Sequence, residues 1–152
     1  MDKIIGQIRE IVGGYAPQLG LIREEEFSFK PLPHKWSRKE ILGHLVDSAQ
    51  NNLRRFIVAQ YEDSPNIVYR QEDWVAISHY QDYPTKHLIQ IWSLLNLHIC
   101  QVLEATGAEQ AKRRCRTGGL EAHSIEWLAE DYIKHLLHHL HQVLELEPIT
   151  YP

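Results

Sequence analysis

Helical periodicity is the feature that most constrains the fold of this 152-residue chain. Apolar residues recur at three- and four-residue spacing, and no segment shows the convincing apolar-polar alternation of a half-buried strand. The spacing predicts four helices, over about residues 2–12, 38–60, 84–106 and 125–146. Three long amphipathic helices and a shorter first one are most economically buried as an all-α four-helix bundle.

Local signals support these boundaries. Ser37 and Glu40 form a capping-box pattern, with Trp36 and Ile41 placed for a hydrophobic staple. Ser124 is expected to cap the last helix. We expect Gly13-Gly14 to end the first helix, residues 61–83 to be irregular with a short helix near 72–78, and residues 112–119 to be a basic loop.

Composition excludes several classes of protein. The length predicts one domain over residues 1–152, and 43% hydrophobic with 24% charged residues excludes a disordered chain. The net charge of -4 argues against nucleic-acid binding. Two unpatterned cysteines exclude a disulfide framework.

No secretory signal is visible at the start of the chain, and we expect a reducing cytoplasm. The longest stretch without Asp, Glu, Lys or Arg runs from His87 to Leu103. Polar residues interrupt it, so we interpret it as a buried helix and expect no membrane span.

Histidine is the unusual residue, since ten histidines outnumber eight glycines. His135 and His139 lie four apart in the last helix, so both imidazoles can face one ion. Zinc is commonly held by such nitrogens, with three protein ligands and one open position in catalytic sites. His44, inside the apolar second helix, is the best candidate for a third ligand from a facing helix.

Other readings of the histidines stay open. A helical histidine pair alone is more often a solvated or hydrogen-bonded face. His138 and His141 are three apart and form an alternative pair, which we expect to point away from the His135 face. His98 is placed to line the interior, although a satisfied core histidine is the favoured reading. The remaining histidines are expected at the surface: His34, His79, His87 and His123.

Leu136 follows His135 where a zincin has Glu, so that built-in general base is missing.

Three blocks of sequence resemble the DinB/YfiT-like superfamily. The first is the stretch 35–48, KWSRKEILGHLVDS, followed by Asn51-Asn52 and Arg55-Phe56. The second is 69–75, YRQEDWV, which looks like the middle-loop motif of one branch. The third is 131–135, DYIKH, followed by His138-His139-Leu140 and Gln142. The blocks occur in the expected order and span most of the chain.

The resemblance implies an up-down-down-up four-helix bundle that forms a homodimer. It also implies a divalent metal held by His44, His135 and His139, the trio that helical spacing selects. Relatives include thiol-dependent S-transferases, which use bacillithiol or glutathione-like cofactors, and a mycothiol-dependent isomerase. Many others carry only a provisional assignment as metal-dependent hydrolases. A low-molecular-weight thiol is therefore a second candidate cofactor.

Three neutral histidine ligands would leave the full charge of a zinc or nickel ion in place; zinc is the first expectation. Such an ion lowers the pKa of bound water and would do the same to a thiol. Hydrolysis and S-transfer of a small-molecule substrate therefore both stay open, and no catalytic base is identified.

Several polar and aromatic side chains are candidates for the surroundings of the metal. Asp47, one turn from His44, is placed to orient that imidazole, although a solvent-facing carboxylate is the favoured reading. Asn51 and Gln142 would put polar groups near the open position or make interhelical hydrogen bonds. Tyr132 and Trp74 would wall the pocket or belong to the core.

Three functions remain as hypotheses. The first is a metal-dependent transferase or hydrolase whose open position is covered by residues 61–83. The second is a non-catalytic protein in which the metal stabilises the bundle. The third is a metal-free dimeric interaction domain. A structural zinc site is normally closed by four protein ligands, and only three well-placed histidines are visible, which favours the first.

Overall fold

The computed structural model describes residues 1–151 and contains seven α-helices and two short strands within that range. In chain order they are α1 (Asp2–Leu19), α2 (Glu24–Ser28), α3 (Arg38–Val58), α4 (Gln71–Ser78), α5 (Thr85–Ala105), α6 (Ala108–Ala111), β1 (Arg114–Arg116), β2 (Ala122–Ser124) and α7 (Ile125–Leu144). A 3₁₀ turn, Tyr80–Asp82, lies between α4 and α5.

The four long helices α1, α3, α5 and α7 form a four-helix bundle, as predicted. Both α1 and α3 pack against α5 and α7, so α1 lies diagonally opposite α3. Their apolar faces meet in one continuous core, in which Ile8, Phe56, Trp92 and Leu136 are fully buried. The seam between α3 and α7 contains His44, His135 and His139.

Helix α5 is long and apolar enough to cross a membrane by length and composition alone, a test that the core helix of a soluble protein also passes. In this fold α5 packs against α1 and α3. Trp92, Ile99 and Leu103 on its inner face are fully buried.

Both predicted helix starts are confirmed. The Ser37 hydroxyl accepts from the Glu40 amide at 3.1 Å, and the Ser37 amide donates to the Glu40 carboxylate at 2.8 Å, which completes a capping box before α3. The Ser124 hydroxyl accepts from the Trp127 amide at 3.1 Å and caps α7.

The predicted end of the first helix is wrong, because α1 runs through Gly13-Gly14 and Pro17 to Leu19. A glycine inside a helix costs only about 1 kcal/mol, and the apolar stripe continues beyond the pair. Leu19 is fully buried, and Tyr15 and Ala16 pack against the core. Burial of this last turn therefore outweighs the glycine signal.

The predicted absence of strands is also wrong. Residues 112–119, expected to be a loop, contain β1, which pairs antiparallel with β2. Cys115 is buried between exposed Arg114 and Arg116, so β1 does alternate. Three residues are too few for that alternation to be distinguished from a loop. The short helix predicted near 72–78 is confirmed as α4.

Gly43 lets the 3₁₀ turn approach α3. A Cβ added at Gly43 would lie 2.1 to 2.6 Å from ring carbons of Tyr80, so only glycine fits beneath this ring. The Tyr80 hydroxyl donates to the Asp47 carboxylate, one turn further along α3, at 2.5 Å. Gly43 therefore fixes the segment between α4 and α5 against the helix that carries His44.

We predict that Gly43→Ala destabilises the protein, because the new methyl must displace the Tyr80 ring; overpacking of this kind costs about 1–3 kcal/mol. Gly13→Ala is the matched control, since nothing lies within 4 Å of its added Cβ in the same helical setting. That change should be neutral or stabilising by up to about 1 kcal/mol. Urea unfolding measures both, and equal effects of the two substitutions would contradict the account.

Candidate metal centre

Three histidines from two facing helices meet in the seam between α3 and α7. His44 comes from α3, and His135 and His139 come from successive turns of α7. One ring nitrogen from each residue can be chosen so that all three lie within 4.8 Å of one another. The Nε2 atoms of His44 and His135 are 3.0 Å apart. Sequence reasoning named these residues, and the structure brings them together.

Hydrogen bonds indicate which nitrogen of His139 is free. His138 Nδ1 lies 2.5 Å from the Ile149 carbonyl, to which only a protonated Nδ1 can donate. Its Nε2 must then accept from the Gln142 amide group at 2.9 Å, which turns the Gln142 carbonyl oxygen toward His139. His139 Nδ1 donates to that oxygen at 2.8 Å, so Nε2 of His139 keeps its lone pair.

The other two rings are held differently. His135 Nδ1 faces the Ser48 hydroxyl at 3.3 Å, which leaves Nε2 for the centre of the trio. His44 is 1% exposed, its Nδ1 has no partner within residues 1–151, and its ring lies 5.2 Å from that of Trp36. Packing rather than a hydrogen bond therefore orients His44.

Burial keeps the trio neutral. Loss of solvent lowers the pKa of His44 to about 4 and that of His135 to about 2, in both cases with a contribution from the neighbouring His139. Burial also lowers the pKa of His139. Three converging, neutral nitrogen donors are what a divalent ion such as zinc requires. The residues therefore fit a metal ion, and no fourth His, Cys, Asp or Glu joins them in the part of the chain that the structure describes.

A polar cavity of about 450 Å³ adjoins the trio. His135 and His139 form part of its wall, together with His138. Other polar side chains lining it come from α3, α7 and the connecting segments: Ser48, Asn52, Arg55, Asp131, Tyr69 and Tyr151. The expectation that His138 points away from the His135 face is wrong, whereas His141 does point away and hydrogen-bonds Tyr15 at 3.0 Å.

Asp47 differs from the expected solvent-facing carboxylate. It is 1% exposed, and the one hydrogen-bond partner of its carboxylate among residues 1–151 is the Tyr80 hydroxyl rather than His44. Its second oxygen, Oδ2, has no partner within residues 1–151. Burial raises the pKa of Asp47 to about 6, and the Tyr80 hydrogen bond acts in the opposite direction. Helical periodicity could not reveal this burial, because the covering ring comes from a distant segment.

The remaining candidates divide into two groups. Tyr132 lines the cavity and donates to Asn96 at 2.7 Å, and Gln142 links two histidines as described. Asn51 bonds back to the Asp47 carbonyl within α3 and does not line the cavity. Trp74 is 36% exposed and packs on Tyr69 instead of walling the cavity.

His98 is exposed on α5, so both readings that placed it in the interior are wrong. His34, His79 and His87 are exposed as expected, and His123 is half-buried, stacked on Trp127 at 3.8 Å.

Ser48, Asn52 and Arg55 are site residues that sequence reasoning did not select. They lie four and three residues apart, so they continue the face of α3 that starts at His44. Asn52 donates to the Ser48 hydroxyl at 3.3 Å, and Arg55 donates to the Asn52 side chain at 3.2 Å. A polar stripe inside an otherwise buried helix was the available signal.

The DinB superfamily model matches residues 17–143, which include all of α3 and α5 and all but the last residue of α7. The chain belongs to the DinB superfamily. Among curated protein sequences, none matches this DinB member significantly.

Two solved structures share the fold of this DinB protein. The first is YfiT from Bacillus subtilis, described as a probable metal-dependent hydrolase with an unusual four-helix bundle topology. The TM-score is 0.85 at 20% identity, over 95% of this chain and 83% of that one. The second is the mycothiol-dependent maleylpyruvate isomerase, with a TM-score of 0.79 at 13% identity. This chain covers 61% of the isomerase, so it spans about three fifths of that protein.

We predict that the purified, untagged protein binds one divalent ion and that His44→Ala, His135→Ala and His139→Ala each lower its metal content at least tenfold. Removing one of three ligands leaves too few donors to retain the ion. His98→Ala is the matched control, since this exposed histidine lies outside the trio. Elemental analysis after dialysis measures occupancy, and full occupancy in all three trio variants would overturn the ligand assignment.

We also predict that the metal-free protein loses stability as pH falls from 7 toward 4.5. His44 has a pKa below its unfolded value of about 6.5, so the unfolded chain binds more protons in this window and acid favours unfolding. The contribution of His44 is on the order of 2 kcal/mol at pH 4.5. Asp47, whose pKa is raised, acts in the opposite direction between about pH 4 and 6.

Urea unfolding at several pH values in the presence of a chelator measures this dependence. His44→Asn removes one of the three titrating rings of the trio and should make the profile less steep, whereas His98→Asn should leave the slope unchanged. A wild-type profile that is as flat as that of His44→Asn would refute the prediction.

Proposed function

We propose that this protein is an enzyme that uses a divalent ion, zinc in the first instance, at His44, His135 and His139 to activate a thiol or water against a small-molecule substrate. The observation that carries the proposal is that two of the three histidines form part of the wall of a polar cavity. A ligand in that cavity would lie beside the open side of the trio.

Neutral ligands matter for this chemistry. A divalent ion held by three uncharged imidazoles supplies a strong electrostatic field that lowers the pKa of water or a thiol beside it. The chain itself orients the metal-binding histidines. Gln142 fixes the ring of His139 and Ser48 that of His135, while the apolar core excludes bulk water from His44.

The two non-catalytic hypotheses have weaker support. A purely structural zinc site would be closed by a fourth protein ligand, and none joins the trio among the described residues. A metal-free interaction domain would keep buried His44, with an unpartnered Nδ1, against the half-buried His135 and His139 without an ion between them. Burying polar groups in this way costs free energy, which a bound ion would offset.

Both S-transfer and hydrolysis belong to the proposal. The fold is shared with a probable metal-dependent hydrolase and with a mycothiol-dependent isomerase, which supports keeping hydrolysis and thiol-dependent chemistry as the two candidates. Among residues 1–151, Asp131 is the one carboxylate in the cavity lining, and its oxygen accepts from the Tyr151 hydroxyl at 2.8 Å. A homodimer and a cytoplasmic location also stay part of the proposal, and light scattering tests the former.

The test is a paired activity screen on the metal-loaded protein. One arm measures conjugation of an electrophile with bacillithiol, glutathione or mycothiol, and the other measures ester and amide hydrolysis. We expect activity in one arm that falls at least a hundredfold in His135→Ala and persists in His98→Ala. Metal-loaded protein without activity in either arm, or activity that survives in His135→Ala, would contradict the proposal.

A further inference from the structure

Arg55 is a buried cation in the cavity wall with unused hydrogen-bonding capacity. It is 9% exposed, and it lies on α3 almost three turns beyond His44. Its Nε and Nη2 both donate to the Ile67 carbonyl, at 3.2 and 3.1 Å, and Nη1 donates to the Asn52 side chain at 3.2 Å. Within the described residues, three of the five guanidinium N–H groups are thus used.

The two remaining N–H groups belong one to each terminal nitrogen. With one free N–H on each terminal nitrogen, the guanidinium can present the fork that binds a carboxylate in bidentate fashion elsewhere in proteins. Within residues 1–151, no carboxylate lies within 4.0 Å of the guanidinium, although buried arginines are normally paired. Among residues 1–151, Arg55 therefore has no direct ion-pair partner, and it lines a cavity that opens beside the histidines.

Arg55 is connected to the trio through a continuous series of hydrogen bonds. Arg55 donates to Asn52, Asn52 donates to the Ser48 hydroxyl, and that hydroxyl faces His135. Ser48 and Arg55 are seven residues apart on α3, a rise of about 10 Å. A molecule that contacts both the trio and Arg55 must therefore be elongated, with several bonds between its two contacts.

We propose that the substrate or thiol cofactor of this enzyme carries a carboxylate that binds the free fork of Arg55 while its reacting end lies at the histidine trio. The inference rests on the proposed function for the reacting end, but the carboxylate site stands on Arg55 alone. Arg55 is a binding residue that selects acidic molecules of a fixed length.

The other charged group in the cavity does not cancel this preference. Asp131 also lines the wall, and its carboxylate accepts a hydrogen bond from Tyr151. The charges of Arg55 and Asp131 balance each other, so a divalent ion at the trio leaves the cavity positive. The specific attraction comes from the fork of Arg55, which Asp131 does not occupy.

The probes are ω-mercapto carboxylic acids of increasing chain length, each compared with its neutral amide. Binding to the zinc-loaded protein is measured by calorimetry. At the best chain length the acid should bind at least tenfold more tightly than the amide, since charge-assisted bidentate hydrogen bonds are the strong ones. In Arg55→Gln this preference should vanish, with metal content unchanged.

Controls separate binding from folding. Arg54→Gln removes the same charge from an exposed neighbouring position and should keep the preference. Because Arg55 also holds the Ile67 carbonyl, melting temperature is checked, and Arg55→Lys serves as a second variant that keeps the charge but loses the fork. Arg55→Lys should retain only part of the preference for the acid over the amide.

Equal binding of acid and amide to the wild type would overturn the inference and leave the metal function standing. The same holds if both Arg55 variants keep the full preference for the acid over the amide. A protein that takes up no zinc would refute the proposed function instead. In that case hexanoate and hexanamide are compared on the metal-free protein by NMR. A preference for hexanoate that disappears in Arg55→Gln supports the carboxylate site, and equal binding overturns it.

Discussion

The approach of His44 to His135 across the seam between α3 and α7 is the interaction on which the site depends. Polar rings in a helix seam cost free energy unless they find partners, and here the Nε2 atoms face each other at 3.0 Å. Burial holds both rings neutral, so each ring has one nitrogen lone pair available to an ion in this small space. A cation between them would satisfy both, which links the stability of this seam to metal binding.

A single face of α3 joins the metal centre to the cavity. His44, Ser48, Asn52 and Arg55 follow one another at three- and four-residue spacing. Arg55 donates to Asn52, Asn52 donates to the Ser48 hydroxyl, and that hydroxyl faces His135 of α7. The apolar residues of the same helix face the core. Helix α3 is therefore buried on two chemically different sides, and the polar side sets the length and charge of what the cavity can hold.

Sequence reasoning was sufficient wherever the signal was local. The long helices, the capping box before α3, the Ser124 cap of α7 and the pair His135 and His139 all follow from spacing within one element. The end of α1, the three-residue strands and the burial of Asp47 under Tyr80 depend on tertiary packing, which overrides glycine signals and leaves short alternations unreadable. His98 was misplaced because an apolar stretch does not reveal that Leu94 and Leu97 beside it face outward.

X-ray absorption spectroscopy of the zinc-loaded protein tests the central claim most directly, because it counts the imidazole ligands around the ion. The account predicts three imidazoles and at least one light, exchangeable ligand, with a sulfur scatterer appearing when a thiol is added. A coordination sphere closed by four protein ligands, or one with fewer than three imidazoles, would contradict the account.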